Sequence, residues 1–164
     1  MTPSLSAQAG ILKFLAKPID FGKKFKGFPI LGSHKTWRGP ILGPIAGILI
    51  VILQSQLYKF PFIKEISLLD YGQINIFLFG FLISLGAVCG DLCFAFIKRR
   101  LKLEPGARFL PFDQINYVIG AALFLTPFFE ISIKVWIILF ILTPLLHVIA
   151  TQIGFILGLS RSKW

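Results

Sequence analysis

A chain of 164 residues has the length of one soluble domain, but 55% of its residues are hydrophobic, 18 are phenylalanine and the mean hydropathy is +0.80, which a water-facing surface does not tolerate. The net charge of +10 would suit a nucleic-acid binder, yet the cations flank apolar runs and no recognition motif accompanies them. Soluble globular classes and nucleic acid as a partner are set aside, and the chain is read as an integral membrane protein.

In chain order, the opening stretch MTPSLSAQAGILKFLAKPIDFG has only a brief apolar patch, interrupted by Lys13. It is too short to span and lacks a signal-peptide layout, so a truncated or interfacial N-terminal helix is expected there. A basic stretch over 17–39 follows, with Lys17, Lys23, Lys24, Lys26, Lys35 and Arg38. Its end, GSHKTWRG, offers a turn or cap at Gly32 and Ser33 and a tryptophan, Trp37, suited to the headgroup level. A hydrocarbon core about 30 Å thick is crossed by about 20 apolar residues in a helix, and 40–57 is the first such run. Lys35, Gly39, Gly43 and Gly47 recur every four residues, which predicts one close-packing helical stripe headed by the lysine.

The second run is 74–97, where Gly80, Ser84, Ala87, Asp91, Ala95 and Lys98 fall on one small and polar face. Cys89 and Cys93 share one side of the same helix. Two thiols without further ligands make no zinc site, so they read as packing. The loop 98–114, KRRLKLEPGARFLPFDQ, joins strong cations to a Pro-Gly turn and ends beside Asp113. A third, short run covers 115–129, with Asp113, Asn116 and Gly120 as its polar seam, and a fourth covers 131–159, with Thr143, His147, Thr151, Gly154 and Gly158 as its own. His147 lies about 18 Å from the basic end at 1.5 Å per residue and is expected to form an interhelical hydrogen bond.

Runs such as INIFLFGFLISLGAVCG do not alternate as barrel strands do. The fold class is therefore an all-α integral membrane protein: one domain over 1–164, a bundle of four transmembrane helices, helical throughout. The basic segments 17–38, 98–108 and the tail with Arg161 and Lys163 fall on one side of a four-span chain, while 58–73 and 129–134 hold only Lys59, Lys64 and Lys134. Cation-rich segments stay on the cytoplasmic side. This predicts a multi-pass cell-membrane protein whose polar machinery, with loops 17–39 and 98–114, faces the cytoplasm, and whose surplus cations also meet anionic membrane lipids.

The chain has seven carboxylates. Glu65, Asp70 and Glu130 belong to the outer connections and read as solvated; Asp20, Asp91, Glu104 and Asp113 lie on the basic side. Asp91 interrupts an apolar run two helical turns, about 10 Å, before Lys98. An ionisable group inside a span is costly and marks a functional candidate. Asp91 and Asp113 on adjacent helices can hold a divalent metal through hard oxygen ligands, and the neighbouring cations suit phosphate. Phosphate with magnesium is what phosphoryl and nucleotidyl transfer require. Neither a Walker A motif nor GxGxxG is present, so soluble nucleotide-binding folds are excluded as models.

Four stretches, PIDFGKKFKGFPILGSHKTWRG, GDLCFAFIKRR, PGARFLPFDQINYVIGA and PLLHVIATQIGFILGL, occur in an order and spacing that resembles the CDP-archaeol synthase family, relatives of the CDP-diacylglycerol synthases. The resemblance runs from about residue 18 to the C-terminus. It implies a membrane cytidylyltransferase in which CTP and a lipid phosphate give a CDP-lipid and pyrophosphate, with Mg2+ as cofactor. In that reading Asp91 and Asp113 hold the metal, and Lys98 and Arg99 join them as catalytic residues. Lys35, Thr36, Arg38 and Arg100 hold phosphate or nucleotide, with His34 and Asn116 as further substrate ligands and Asp20 organising the access loop. The family pattern departs at three places: the second carboxylate of its D-x-x-D motif is Asn116, a serine on the Asp91 face is Ala95, and its complete first helix is reduced to the stretch before Asp20. One charge fewer predicts weaker binding of a second metal and lower or altered activity. The reduced first helix leaves an apolar flank that would favour a homo-oligomer. Two other readings stay open: a CTP-dependent polyprenol kinase of the same superfamily, and a small transporter or flippase for anionic lipids or phosphate.

Overall fold

A computed structural model describes residues 13–104, 107, 109 and 112–156. After a single 3-10 turn at Lys13–Ala16, strands β1 (Lys24–Phe25) and β2 (Phe28–Pro29) are followed by helices α1 (Arg38–Leu57), α2 (Pro61–Ile66), α3 (Ile76–Arg100), α4 (Phe112–Leu125) and α5 (Ile133–Ile156). The expected helical bundle is present, and the N-terminal stretch before residue 13, the Pro105-Gly106 turn and the end of the last expected span, 157–159, lie outside the described residues.

The helices-throughout reading needs one correction. Within 17–39 an antiparallel hairpin pairs Lys24 with Pro29 and Phe25 with Phe28, closed by Lys26 and Gly27, both at positive φ. A two-residue turn of that hand matches the twist of paired strands, which is why a glycine sits there.

Among the described residues three helices are long and apolar enough to cross a membrane, Arg38–Leu57, Ile76–Arg100 and Ile133–Gly154, with mean hydropathies of 1.8, 2.1 and 2.2. The expected third span, α4, has 14 residues, about 21 Å of helix. Its first two turns carry the polar residues Asp113 and Asn116, and Pro127 biases Thr126 away from helical backbone, so the helix stops two residues before it. The boundary at the other side of the basic loop also moves: Lys98, Arg99 and Arg100 form the last turn of α3 rather than loop, where cations meet the negative helix end.

Lipid offers no hydrophobic drive between helices, so close packing must supply the contact. A side-chain carbon added at Gly86 would lie 2.5 Å from the Gly120 carbonyl oxygen, and one at Gly120 would lie 2.8 Å from the Gly90 amide nitrogen; α3 and α4 therefore meet backbone to backbone. Gly43 and Gly47 let α1 close on α3 in another way, receiving the side chains of Val88 and Ser84, as the stripe predicts, while Gly39 has open space around it. The apolar core of Val51, Phe79, Leu82, Val118, Leu125 and Trp136 lies in the other half of the bundle, toward the outer connections. There Tyr58 donates to Asp70 at 3.0 Å and Tyr71 to Gln54 at 3.2 Å. Helix α5 packs loosely: Ile137, Ile141, Leu145, Leu146 and Ile149 are exposed, a surface that lipid covers. His147 lies on that exposed side, and only its backbone carbonyl is engaged, by the Thr151 hydroxyl at 2.8 Å. Contrary to expectation, none of the described residues of the last helix's polar seam, Thr143, His147, Thr151 and Gly154, lines the site cavity, and Gly158 lies outside the described residues.

Candidate active site

At the basic end of α3 and the start of α4 a cavity of about 290 Å3 is lined by Leu31, His34, Lys35, Asp91, Ala95, Lys98, Arg99, Ala107, Asp113 and Asn116. Three segments far apart in sequence build it. Helix α3 gives Asp91, Ala95 and Lys98 on one face, as their spacing predicts. Helix α4 gives Asp113 in its first turn and Asn116 one turn later, and the glycine contact holds that turn against α3.

The third wall is the basic stretch before α1. Lys35 does not sit on the helical stripe: it precedes α1, in non-helical chain where its amide donates to the Gly32 carbonyl at 3.1 Å, pinned by the bridge between Pro18 and Thr36 and by the Ile19 amide donating to its carbonyl at 2.9 Å. From there its ammonium reaches both oxygens of Asp91 at 2.6 Å. The expected contact is made from a different backbone. Across the cavity the Lys98 ammonium donates to both oxygens of Asp113 at 2.9 Å and to the Ala107 carbonyl at 2.5 Å, and Asp113 also accepts from the Phe109 amide at 2.8 Å. Arg99 is buried and donates to the Leu103 carbonyl.

Asn116 is 3% exposed, and its side-chain oxygen is buried without a hydrogen-bond partner. A buried acceptor left unpaired costs about 1–3 kcal/mol, so an oxygen of this kind beside two carboxylates suits a cationic ligand. Among the described residues no three His, Cys, Asp or Glu side chains cluster; the donor set is Asp91, Asp113 and the Asn116 amide. All three are hard oxygen donors of the type Mg2+ takes together with water and substrate phosphate. Cys89 and Cys93 are free and stand outside the cavity lining.

Four residues expected at the site are not among its lining residues: Thr36, Arg38, Asp20 and Arg100. Thr36 forms the backbone bridge already described. Arg38 opens α1, with its Nε buried and unpartnered. Arg100 spends its guanidinium on the hairpin, donating to the carbonyls of Phe25 and Pro29 at 2.7 Å each and stacking over the rings of Phe25 and Phe96. Asp20 accepts from the amides of Gly22, Leu31 and Gly32 at 3.0, 2.9 and 2.9 Å. Both hold the loop that carries Leu31, His34 and Lys35. The residues that sequence reasoning missed are Leu31 and Ala107, the latter acting through its carbonyl, which no side-chain pattern announces.

Burial pushes the Asp20 carboxyl upward, but the amides of Gly32, Leu31 and Gly22 outweigh it and hold the group below its ordinary value. A depressed carboxylate contributes stability that is complete above its unfolded value, about 3.9, and is lost as pH falls through the folded value. Asp20→Asn places an amide NH2 against at least one of the Gly22, Leu31 and Gly32 donors and removes the charge from the others, at a cost of about 1–3 kcal/mol to the loop. Tryptic cleavage after Lys23, Lys24 and Lys26 is expected to accelerate several-fold at neutral pH, and hydrogen exchange at the Leu31 and Gly32 amides to lose the acid-dependent step that the unsubstituted protein shows below about pH 4. Unchanged cleavage and exchange would remove Asp20 from its loop-holding role.

A helical membrane bundle that gathers two acids, three cations and an unpaired amide oxygen at one end of α3 defines an intramembrane enzyme acting on charged, phosphate-bearing substrates. The comparisons make the assignment specific. The family model described as CarS-like, CDP-archaeol synthase, matches residues 1–164. A CDP-archaeol synthase of Archaeoglobus fulgidus is 38% identical, covering 90% of this chain and 84% of its own; that of Methanococcoides burtonii is 34% identical, covering 90% of each; that of Pyrococcus furiosus is 40% identical over 79% of this chain and 73% of its own. A solved structure of an intramembrane enzyme for archaeal membrane lipids biosynthesis superposes with a TM-score of 0.68 at 27% identity, covering 82% of this chain and 78% of that one. The chain belongs to the CDP-archaeol synthase family, and it is a CTP-dependent nucleotidyltransferase of the membrane.

Proposed function

We propose that this protein transfers the cytidylyl group of CTP to an archaeol-type ether lipid phosphate, releasing pyrophosphate, and that the cavity between α3, α4 and the 31–35 stretch is where it does so. The observation that carries the reading is the pairing of Asp91 with Lys35 and of Asp113 with Lys98 around one cavity that also holds the unpaired Asn116 oxygen. A phosphate oxygen of the lipid attacks the α-phosphorus of CTP; the bond from that phosphorus to the β-bridging oxygen breaks, and the electron pair leaves with pyrophosphate. No general base is needed because the nucleophile is already an anion, so positioning and charge stabilisation carry the catalysis.

Asp91, Asp113 and Asn116 would hold Mg2+, which when bound offsets charge on the triphosphate and on the leaving group. Lys35 and Lys98, each fixed by a carboxylate and so kept oriented, present their ammonium groups to the phosphates, and Arg99 adds a buried guanidinium at the same end. Ala95 leaves that wall of the site without a hydroxyl. The basic ends of the spans favour a cytoplasm-facing site, where CTP is available.

Purified protein given radiolabelled CTP, Mg2+ and a panel of lipid phosphates is expected to form CDP-lipid and pyrophosphate in equal amounts, with an ether lipid phosphate as the preferred acceptor. Lys35→Ala is expected to raise the KM for CTP or lipid phosphate about ten-fold or more, since it removes a charge-assisted contact. A product heavier by one phosphate with release of CDP would replace this reading with a kinase, and lipid flux without nucleotide turnover would replace it with a transporter.

A further inference from the structure

A second cavity, of about 500 Å3, lies in the bundle on the side away from the basic end, walled by Ala87, Tyr117, Ala121, Leu125, Trp136 and Leu139 among others, and closed beyond them by the connection 66–71. Pockets of about 300–1,000 Å3 are the size that small ligands fill. Its lining is almost wholly apolar; at the far end the polar atoms of Tyr71 and Gln54 satisfy each other at 3.2 Å. The near end decides what enters. Ala87 lies one helical turn from Asp91 on the same face of α3, and Tyr117 one turn from Asp113 on the same face of α4, so the apolar cavity begins one turn beyond the polar one on both helices. From Asp91 to Phe79, which also lines it, is 12 residues of helix, about 18 Å. That depth passes the midplane of a core about 30 Å thick.

We propose that this cavity takes one hydrocarbon chain of the lipid whose phosphate sits between Asp91 and Asp113, and that the connection 66–71 closes its end and so limits chain length. The proposal rests on the nucleotidyl transfer reading for the head of that lipid; the chain site itself rests on the cavity. Only a chain attached to a head at the polar end fills both compartments at once, whereas a bulk lipid anchored at the opposite face would place its own phosphate beside Leu68 and Leu69, where the cavity offers no cation.

Of the chain's three tryptophans, Trp136 lines the cavity, so the double substitution Trp37→Phe, Trp164→Phe leaves it as the sole tryptophan, excited selectively beyond the tyrosine absorption. In nanodiscs, a dialkylglycerol phosphate brominated near its chain ends is expected to quench Trp136 saturably at low mole fraction, and unbrominated dialkylglycerol phosphate is expected to reverse it. Ala87→Phe, or Leu139→Phe from the α5 wall if the first does not fold, is expected to abolish the saturable part. Both variants are also expected to raise KM about ten-fold for a long-chain lipid phosphate, the low end for a group that no longer fits an apolar pocket, while KM for CTP and for a short-chain lipid phosphate stays unchanged. Quenching that grows linearly with mole fraction and is equal for brominated dialkylglycerol lacking the phosphate would overturn the proposal, as would equal KM changes for long and short chains. If the unsubstituted protein formed no CDP-lipid at all, the transfer reading would fall, and the quenching result alone would decide the chain site.

Discussion

Asp91→Asn is expected to lower CDP-lipid formation by about 10²–10³-fold, the size of effect that follows loss of one charge-stabilising group at a reacting phosphate, while the protein stays folded. The two acids differ in what else they do, and the difference makes Asp91 the sharper test. The Asp91 and Lys35 side chains are 42% and 28% exposed. An ion pair of that exposure is worth about 0–1 kcal/mol, too little to unfold a bundle held by helix packing. Asp113 instead accepts from the 11%-exposed Lys98 and from the Phe109 amide, so Asp113→Asn weakens the first turn of α4 as well as removing a charge. Thermal unfolding should therefore move little for Asp91→Asn and downward for Asp113→Asn, with turnover lost in both. Mn2+ binding followed by electron paramagnetic resonance should weaken in each. Full turnover in Asp91→Asn would remove that residue from the site whatever the fate of Asp113.

What could be read without the structure was whatever is costly in a membrane. Asp91 inside an apolar run declares itself, and so does Lys98 two turns later, because charges at that depth must find partners. Two partners of different origin then defeated local spacing. The Lys35 stripe requires the helix of 40–57 to begin at Lys35, whereas it begins at Arg38; Lys35 lies just after a turn, and its contact with Asp91, 56 residues away, depends on how the 17–36 stretch folds back on itself. Arg100 was read as a phosphate holder by its neighbours in sequence, yet its partners are carbonyls 71 and 75 residues earlier. Periodicity gives a helix its faces but not the neighbour each face meets. That is why the seam of Thr143, His147 and Thr151, expected to wall the polar pocket, lines no part of it, and why Gly86 and Gly90, one turn apart in a helix with many small residues, do not stand out in the sequence.

Those two glycines and Gly120 set the distance on which the site depends, which gives the second large effect. A carbon at Gly120 meets backbone of α3 at Gly86 and Gly90, and backbone cannot swing aside as a flexible side chain can. Overpacking typically costs about 1–3 kcal/mol; with rigid obstacles Gly120→Val is expected at or beyond the upper end, paid by pushing α4 off α3. Asp113 and Asn116 ride on α4 and Asp91 on α3, so the same displacement opens the donor set. The expected result is a marked fall in unfolding temperature together with loss of Mn2+ binding and turnover, although no substituted atom touches substrate. Gly39→Ala is the control: nothing lies within 4 Å of the added carbon, and a change within about ±0.5 kcal/mol is expected. If Gly120→Val were as stable and active as Gly39→Ala, the spacing of the acids would have to be fixed by the ion pairs themselves, and the lysines rather than the glycines would be the architecture of the site.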